Sequence, residues 1–158
     1  MAKALDRSIN YETYIQKMNV KELIGLIDSL ENLDEVTTAL TELAIRDKEL
    51  AKFHSLKILE SDLGDEFLQA MAFNLLYEAD NEKAKETANS KLTKAPAALL
   101  GAIMDSLASD SLQPFGKSLS PSFLKTIQQR YLELTDSEKK RISENYDWFK
   151  ESFEEKLK

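Results

Sequence analysis

The sequence predicts an all-α protein of short antiparallel helical hairpins, about eight or nine helices, stacked as an α-solenoid or gathered into an irregular bundle. Three observations carry that expectation. The chain has only 4 Gly and 3 Pro in 158 residues, so it has few places to break, and 31% charged residues supply solvated helix faces. Apolar residues recur at helical spacing between capping signals. Finally, Phe67–Tyr77 (FLQAMAFNLLY) contains no Asp, Glu, Lys or Arg. A helix there is apolar nearly all round and belongs at the centre, covered on more than one side. It is far too short to cross a bilayer, which takes about 20 residues.

The elements follow in order. Ile9, Tyr11, Tyr14, Ile15 and Met18 make one apolar face of a short helix over 8–18. Asn19 caps a helix over 20–31, with Glu22 in capping-box position and Leu23, Ile24, Ile27 and Leu30 on its apolar face. Gly25 inside it weakens the helix slightly or admits a close neighbour. Asp34 is expected to cap a helix over 35–46, and Asp47 to break the chain before a helix over 48–60. Gly64 suits a left-handed helix end, and Asp65 caps the central helix. A polar helix spans 82–93, and an apolar one spans 95–108 with Pro96 in its first turn. The stretch 109–120, with Pro114 and Gly116, is expected to be the longest loop. Ser120-Pro121 opens a helix over 121–134, and Thr135-Asp136-Ser137-Glu138 is a capping box opening the last helix.

An internal repeat supports the stacked arrangement. Sliding Glu49–Ser61 onto Glu66–Glu78, an offset of 17 residues, places Leu50 on Phe67, Leu56 on Phe73, Ile58 on Leu75 and Leu59 on Leu76. Two helices per roughly 34–40 residues is the period of α-solenoids. No linker or low-complexity stretch interrupts the chain, and 1–158 reads as one domain.

Composition excludes several classes. Without cysteine there is no disulfide, thiolate nucleophile or cysteine metal site. The start, MAKALDRSIN, lacks the apolar core of a secretory signal, so a cytoplasmic location is expected. A net charge of −7 argues against direct nucleic-acid binding. That charge is uneven: Asp28 to Glu86 holds 15 acidic and 6 basic residues, whereas Thr87 to Leu132 holds 2 and 5. Such an acidic half is a solvated surface or a docking surface for a basic protein.

Chemistry is harder to find. His54 is the only histidine and has no partner at metal-ligand spacing, so it reads as structural or surface. Asp62, Asp65 and Glu66 cluster at a helix start, where negative charge suits the free N–H groups. Walker A, Rossmann and calcium-loop patterns are missing from the sequence, and neither metal nor cofactor is expected. Ile142, Tyr146, Phe149 and Phe153 form a core stripe on the last helix. Trp148 lies off that stripe and either packs on 109–120 or anchors a protein interface.

The layout EFLQAMAFNLLYEADNEKAKETANSKLTKAPAALLGAIMDSLASDS gives a greasy helix, a Tyr-Glu-x-Asp turn, a polar helix, then Ala-Pro before another greasy helix. Over roughly 34–150 it resembles the HEAT-like, all-helical immunity proteins of bacterial toxin–immunity systems, including contact-dependent growth inhibition. The resemblance implies a non-enzymatic inhibitor that binds a cognate toxin, a basic nuclease domain in many such systems; separately, a monomer is expected in the free state. It assigns no individual residue. The charge pattern separately points to Glu31, Asp34, Glu35, Asp62, Asp65 and Glu66 as one negative edge, with Trp148 as a further partner contact. An adaptor or assembly factor that binds a cellular protein or peptide is the alternative, and a helical enzyme with a carboxylate-only site is the third class.

Overall fold

A computed structural model describes residues 13–158, and among them no strand occurs. The expected helix over 8–18 lies partly outside the described residues, which begin with a helical turn over 13–16. Helix α1 (Val20–Ser29) starts in a full capping box: Asn19 Oδ1 accepts from the Glu22 N–H at 2.8 Å, and Glu22 Oε1 from the Asn19 N–H at 3.2 Å. Helix α2 (Leu33–Arg46) starts two residues earlier than expected. Asn32, not Asp34, is its cap, accepting from the N–H groups of both Asp34 and Glu35. The earlier start lets Leu33 pack against the core. Gly25 has no neighbour where a Cβ would stand, so it marks no close approach.

Two turns are as short as a turn can be. Asp47 ends α2 and caps α3 (Lys48–Glu60), accepting from the Leu50 N–H at 3.1 Å. Asp80 ends α4 (Glu66–Ala79) and caps α5 (Asn81–Lys91) in the same way, accepting from the Lys83 N–H at 3.0 Å. Between α3 and α4 the chain takes left-handed φ at Asp62 (51°) and Gly64 (73°), and Asp65 then caps α4. A 3-10 turn over Leu92–Lys94 leads to α6 (Ala97–Ser109), which has Pro96 at its cap position.

The stretch 109–120 is not one long loop. Helix α7 (Pro114–Ser118) folds back so closely that a Cβ on Gly116 would stand 2.0 Å from the Asp110 carbonyl oxygen, and only glycine fits. After α8 (Pro121–Glu133) the last helix is broken at Ile142 into α9 (Asp136–Arg141) and α10 (Ser143–Ser152). No Pro or Gly causes that break. It sits where the Ile142 side chain lies against Gly101 of α6. Ile142, Tyr146, Phe149 and Phe153 are all buried as expected, and Tyr146 stacks on Tyr131 with ring centres 3.8 Å apart. Eight of the helices have seven residues or more, in line with the helix count expected from sequence.

The helices lie in two rows. Helices α2, α4 and α6 pack side by side with α10 beyond α6; α3 and α5 form the second row and α1 pairs with α2. The 3-10 turn packs on α8. Polar ties mark the stacking period. Arg46 donates to the Met18 and Gln16 carbonyls, Lys52 bonds Asp80, Lys91 bonds Asp62, Ala98 bonds Glu66, Tyr77 bonds Asp110 and Arg130 bonds Ala95. These ties join residues 28 to 35 positions apart, which is one helical hairpin. The 17-residue offset reappears in burial, but of the four pairs in the sequence match only Leu59 and Leu76 are buried at both positions. Ala51, Ser55 and Leu59 fall on Leu68, Ala72 and Leu76, and all six are buried.

Helix α4 is central, touching α2, α3, α5 and α6. It is nevertheless not buried all round. Leu68, Ala72, Phe73 and Leu76 are enclosed, whereas Phe67 is 64% exposed and Leu75 is half-buried. Replacing Leu76 by Asp should therefore unfold the protein or cost about 4 kcal/mol or more, because an unpaired carboxylate enters the core. Lys83→Asp on the polar helix α5 should stay within about 0.5 kcal/mol of the parent. Urea titrations decide, and equal midpoints would place the core elsewhere.

Candidate partner-binding surface

Because Asp47 and Asp80 turn the chain straight back, alternate turns share an edge. Asp28, near the end of α1, lies 3.6 Å from both His54 Nδ1 and Lys57 Nζ of α3. The α1–α2 turn and the α3–α4 turn are thus on one edge, and the Lys91–Asp62 bond of 2.9 Å adds the α5–α6 connection to it. Asp80 with Lys52 and Tyr77 with Asp110 mark the opposite edge. There the hydrogen bond from Lys52, then that from the Lys83 N–H, holds the Asp80 carboxyl below its ordinary range. Burial, then the bond to Asp110, pushes the Tyr77 phenol well up.

The six carboxylates singled out by charge fall into two groups. Glu31 stands exposed in the α1–α2 turn, and Asp34 and Glu35 occupy the first turn of α2, where they suit the helix dipole. None of the three makes an ion pair among the described residues. The other three have work inside the fold. Asp65 caps α4 by accepting from the Leu68 N–H at 2.8 Å, and Asp62 pairs with Lys91.

Glu66 ties three elements together. Its Oε1 accepts from the Ala98 N–H at 3.3 Å and from the Arg141 guanidinium. Pro96, at the cap position of α6, has no side-chain oxygen to offer, so Glu66 caps that helix from another hairpin. Sequence spacing does not reveal this cap, because it shows only capping within one helix. Lys57, Lys91 and Arg141 also interrupt the edge with positive charge, so the negative strip is not continuous.

Phe67 and Trp148 are exposed aromatic side chains. Phe67 shares a stripe of α4 with Met71, Asn74 and Glu78, and the Arg141 guanidinium lies 5.9 Å from its ring centre. Asn74 and Glu78 are the sequence signal that this stripe faces solvent. Trp148 is 45% exposed, one turn from Asn145, whose amide donates to Asp105 of α6 at 2.7 Å. Burial raises the Asp105 carboxyl, and the bond from Asn145 opposes that.

His54 is buried, edge-on to Phe53 with ring centres 5.2 Å apart, and Asp28 is its acidic neighbour among the described residues. Beside it in sequence, the Ser55 hydroxyl is enclosed without a hydrogen-bond partner. Among the described residues no group of three or more His, Asp or Glu is placed to hold a metal ion, and no helix is long and apolar enough to cross a membrane. No family model matches the chain, and no curated protein does either.

Two outcomes follow from this geometry. Glu66→Ala should cost about 1–3 kcal/mol, since it leaves Ala98 uncapped and Arg141 unpaired, and thermal melts should show it. An unchanged melting temperature would remove Glu66 from the frame of the fold. His54 sets a pH dependence. Burial holds its imidazole below the ordinary value, with Asp28 pulling the other way and Lys57 adding to the lowering. The unfolded chain therefore binds the proton first, and stability present above about pH 6.5 is lost as the pH falls toward the folded value. His54→Gln should flatten the melting temperature between about pH 7.5 and 5.5 relative to the parent. Parallel slopes would show that His54 carries no such linkage.

Proposed function

We propose that this protein neutralises a basic toxin domain by binding it, without turnover, in the manner of the helical immunity proteins it resembles. The observation that carries the reading is the state of Glu31, Asp34 and Glu35: exposed or half-exposed on one edge, close in sequence, and without ion pairs among the described residues. Neighbouring acids on that edge already have partners in the chain. A group of unpaired carboxylates steers a basic partner and speeds encounter, and its effect fades as salt rises. Nuclease domains suit such a surface, because an enzyme that binds phosphate carries clustered Lys and Arg.

The test uses the product of the neighbouring gene, co-purified with the protein and identified by mass. Glu31→Gln, Asp34→Asn and Glu35→Gln together should slow association with that domain by about tenfold at low salt and leave the fold intact by circular dichroism. A folded triple variant that associates at the parent rate would sink the proposal. Phe67→Ala separates the adaptor reading. If it abolishes partner binding while the triple variant does not, docking is apolar and runs across α4 instead.

A further inference from the structure

Between α4, the end of α5 and the start of α6 lies a cleft of about 260 Å³. Gln69 lines it. That side chain is only 9% exposed and makes no hydrogen bond among the described residues. Its amide, two donors and an acceptor oxygen, is not sealed off but opens on the cleft. The start of α6 opens on the same cleft. Pro96 gives it no side-chain cap, and Ala98 is the one first-turn N–H with a side-chain acceptor. The positive end of the α6 dipole therefore adds to the field in the cleft.

The charges around Gln69 select the ligand. Lys91 is neutralised by Asp62 at 2.9 Å, whereas Lys94 is exposed and makes no ion pair among the described residues. One uncompensated positive charge suits a monoanion better than a phosphate dianion, which Asp62 would repel. Ser90 and Thr93 also line the cleft, and Ala95, Pro96 and Leu99 supply its apolar side. We propose that this cleft binds a carboxylate carried on a short aliphatic chain, with Gln69 and the α6 N-terminus donating to the oxygens and Lys94 supplying the charge. The carboxylate belongs to a small free acid or to the C-terminal residue of a peptide. The inference uses no property of the toxin-binding reading and stands or falls apart from it.

Titrations of the ¹⁵N-labelled protein test it, using pentanoate, pentanamide, and the tripeptide Ala-Ala-Val as free acid and as C-terminal amide. Pentanoate or the free-acid peptide should shift the Gln69 side-chain amide and the Ala97 and Leu99 N–H signals in a saturable way, and the two uncharged amides should not. Whichever acid saturates names the source. Lys94→Gln, at an exposed position, should weaken binding by about tenfold, and the nearly isosteric Gln69→Met by a similar factor. Absence of a shift with either acid would overturn the proposal. So would equal shifts with the uncharged amides, or parent affinity in the folded Lys94→Gln variant.

Discussion

The packing of α4 against α6 is the contact on which the rest of the structure depends. Helix α4 brings Leu68, Ala72, Phe73 and Leu76 to the core, and α6 brings Leu99, Leu100, Ile103, Met104 and Leu107. Each large aliphatic side chain taken out of water contributes about 1.5–3 kcal/mol, so this pair supplies much of the drive to fold. Helices of 10 to 14 residues do not persist alone in water, and the outer ones form because this pair gives them something to cover. Helices α2, α3 and α5 close over α4, while α8, α9 and α10 close over α6. Glu66 then fixes the starts of the two central helices against each other, since the residue that opens α4 also caps α6.

The second constraint is turn length. Asp47 and Asp80 each end one helix and cap the next, which leaves the chain no residue with which to wander. Consecutive helices must run back along one another, and hairpins must stack with a constant period. The polar ties at 28 to 35 positions express that period in hydrogen bonds and ion pairs. Individually such exposed pairs add little. Their regular placement fixes the register of each hairpin on the next, a matter of specificity more than of energy.

Much of this was legible in the sequence, and the exceptions share a cause. The caps at Asn19, Asp65, Ser120 and Thr135 and the break at Asp47 are local devices, and local spacing reveals them. Features decided by contact between distant segments stayed hidden: the break at Ile142, the fold-back at Gly116 and the capping of α6 by Glu66. Phe67 misled for another reason. The absence of charge from its stretch suggests burial on every side, yet Asn74 and Glu78 on its own stripe hold that face toward water. The candidate surface was only half legible. Acidic residues can be counted, but which of them are spent on Lys91, Arg141 or a helix end depends on the stacking.

The stacking period also explains why one group of acids is left over. An acid at a given turn finds its cation about one hairpin away: Asp28 finds Lys57, and Asp62 finds Lys91. Applied to Glu31, Asp34 and Glu35, the same step leads to residues 59–70, LESDLGDEFLQA, which contain no Lys or Arg. The next hairpin therefore has no base to offer them, and its own acids are spent elsewhere: Asp62 on Lys91, Asp65 on its helix cap and Glu66 on Arg141. Glu31, Asp34 and Glu35, gathered without an ion pair among the described residues, repel one another and destabilise the fold slightly. The negative potential at this edge is thus a consequence of register, set by where the sequence withholds a lysine one hairpin on.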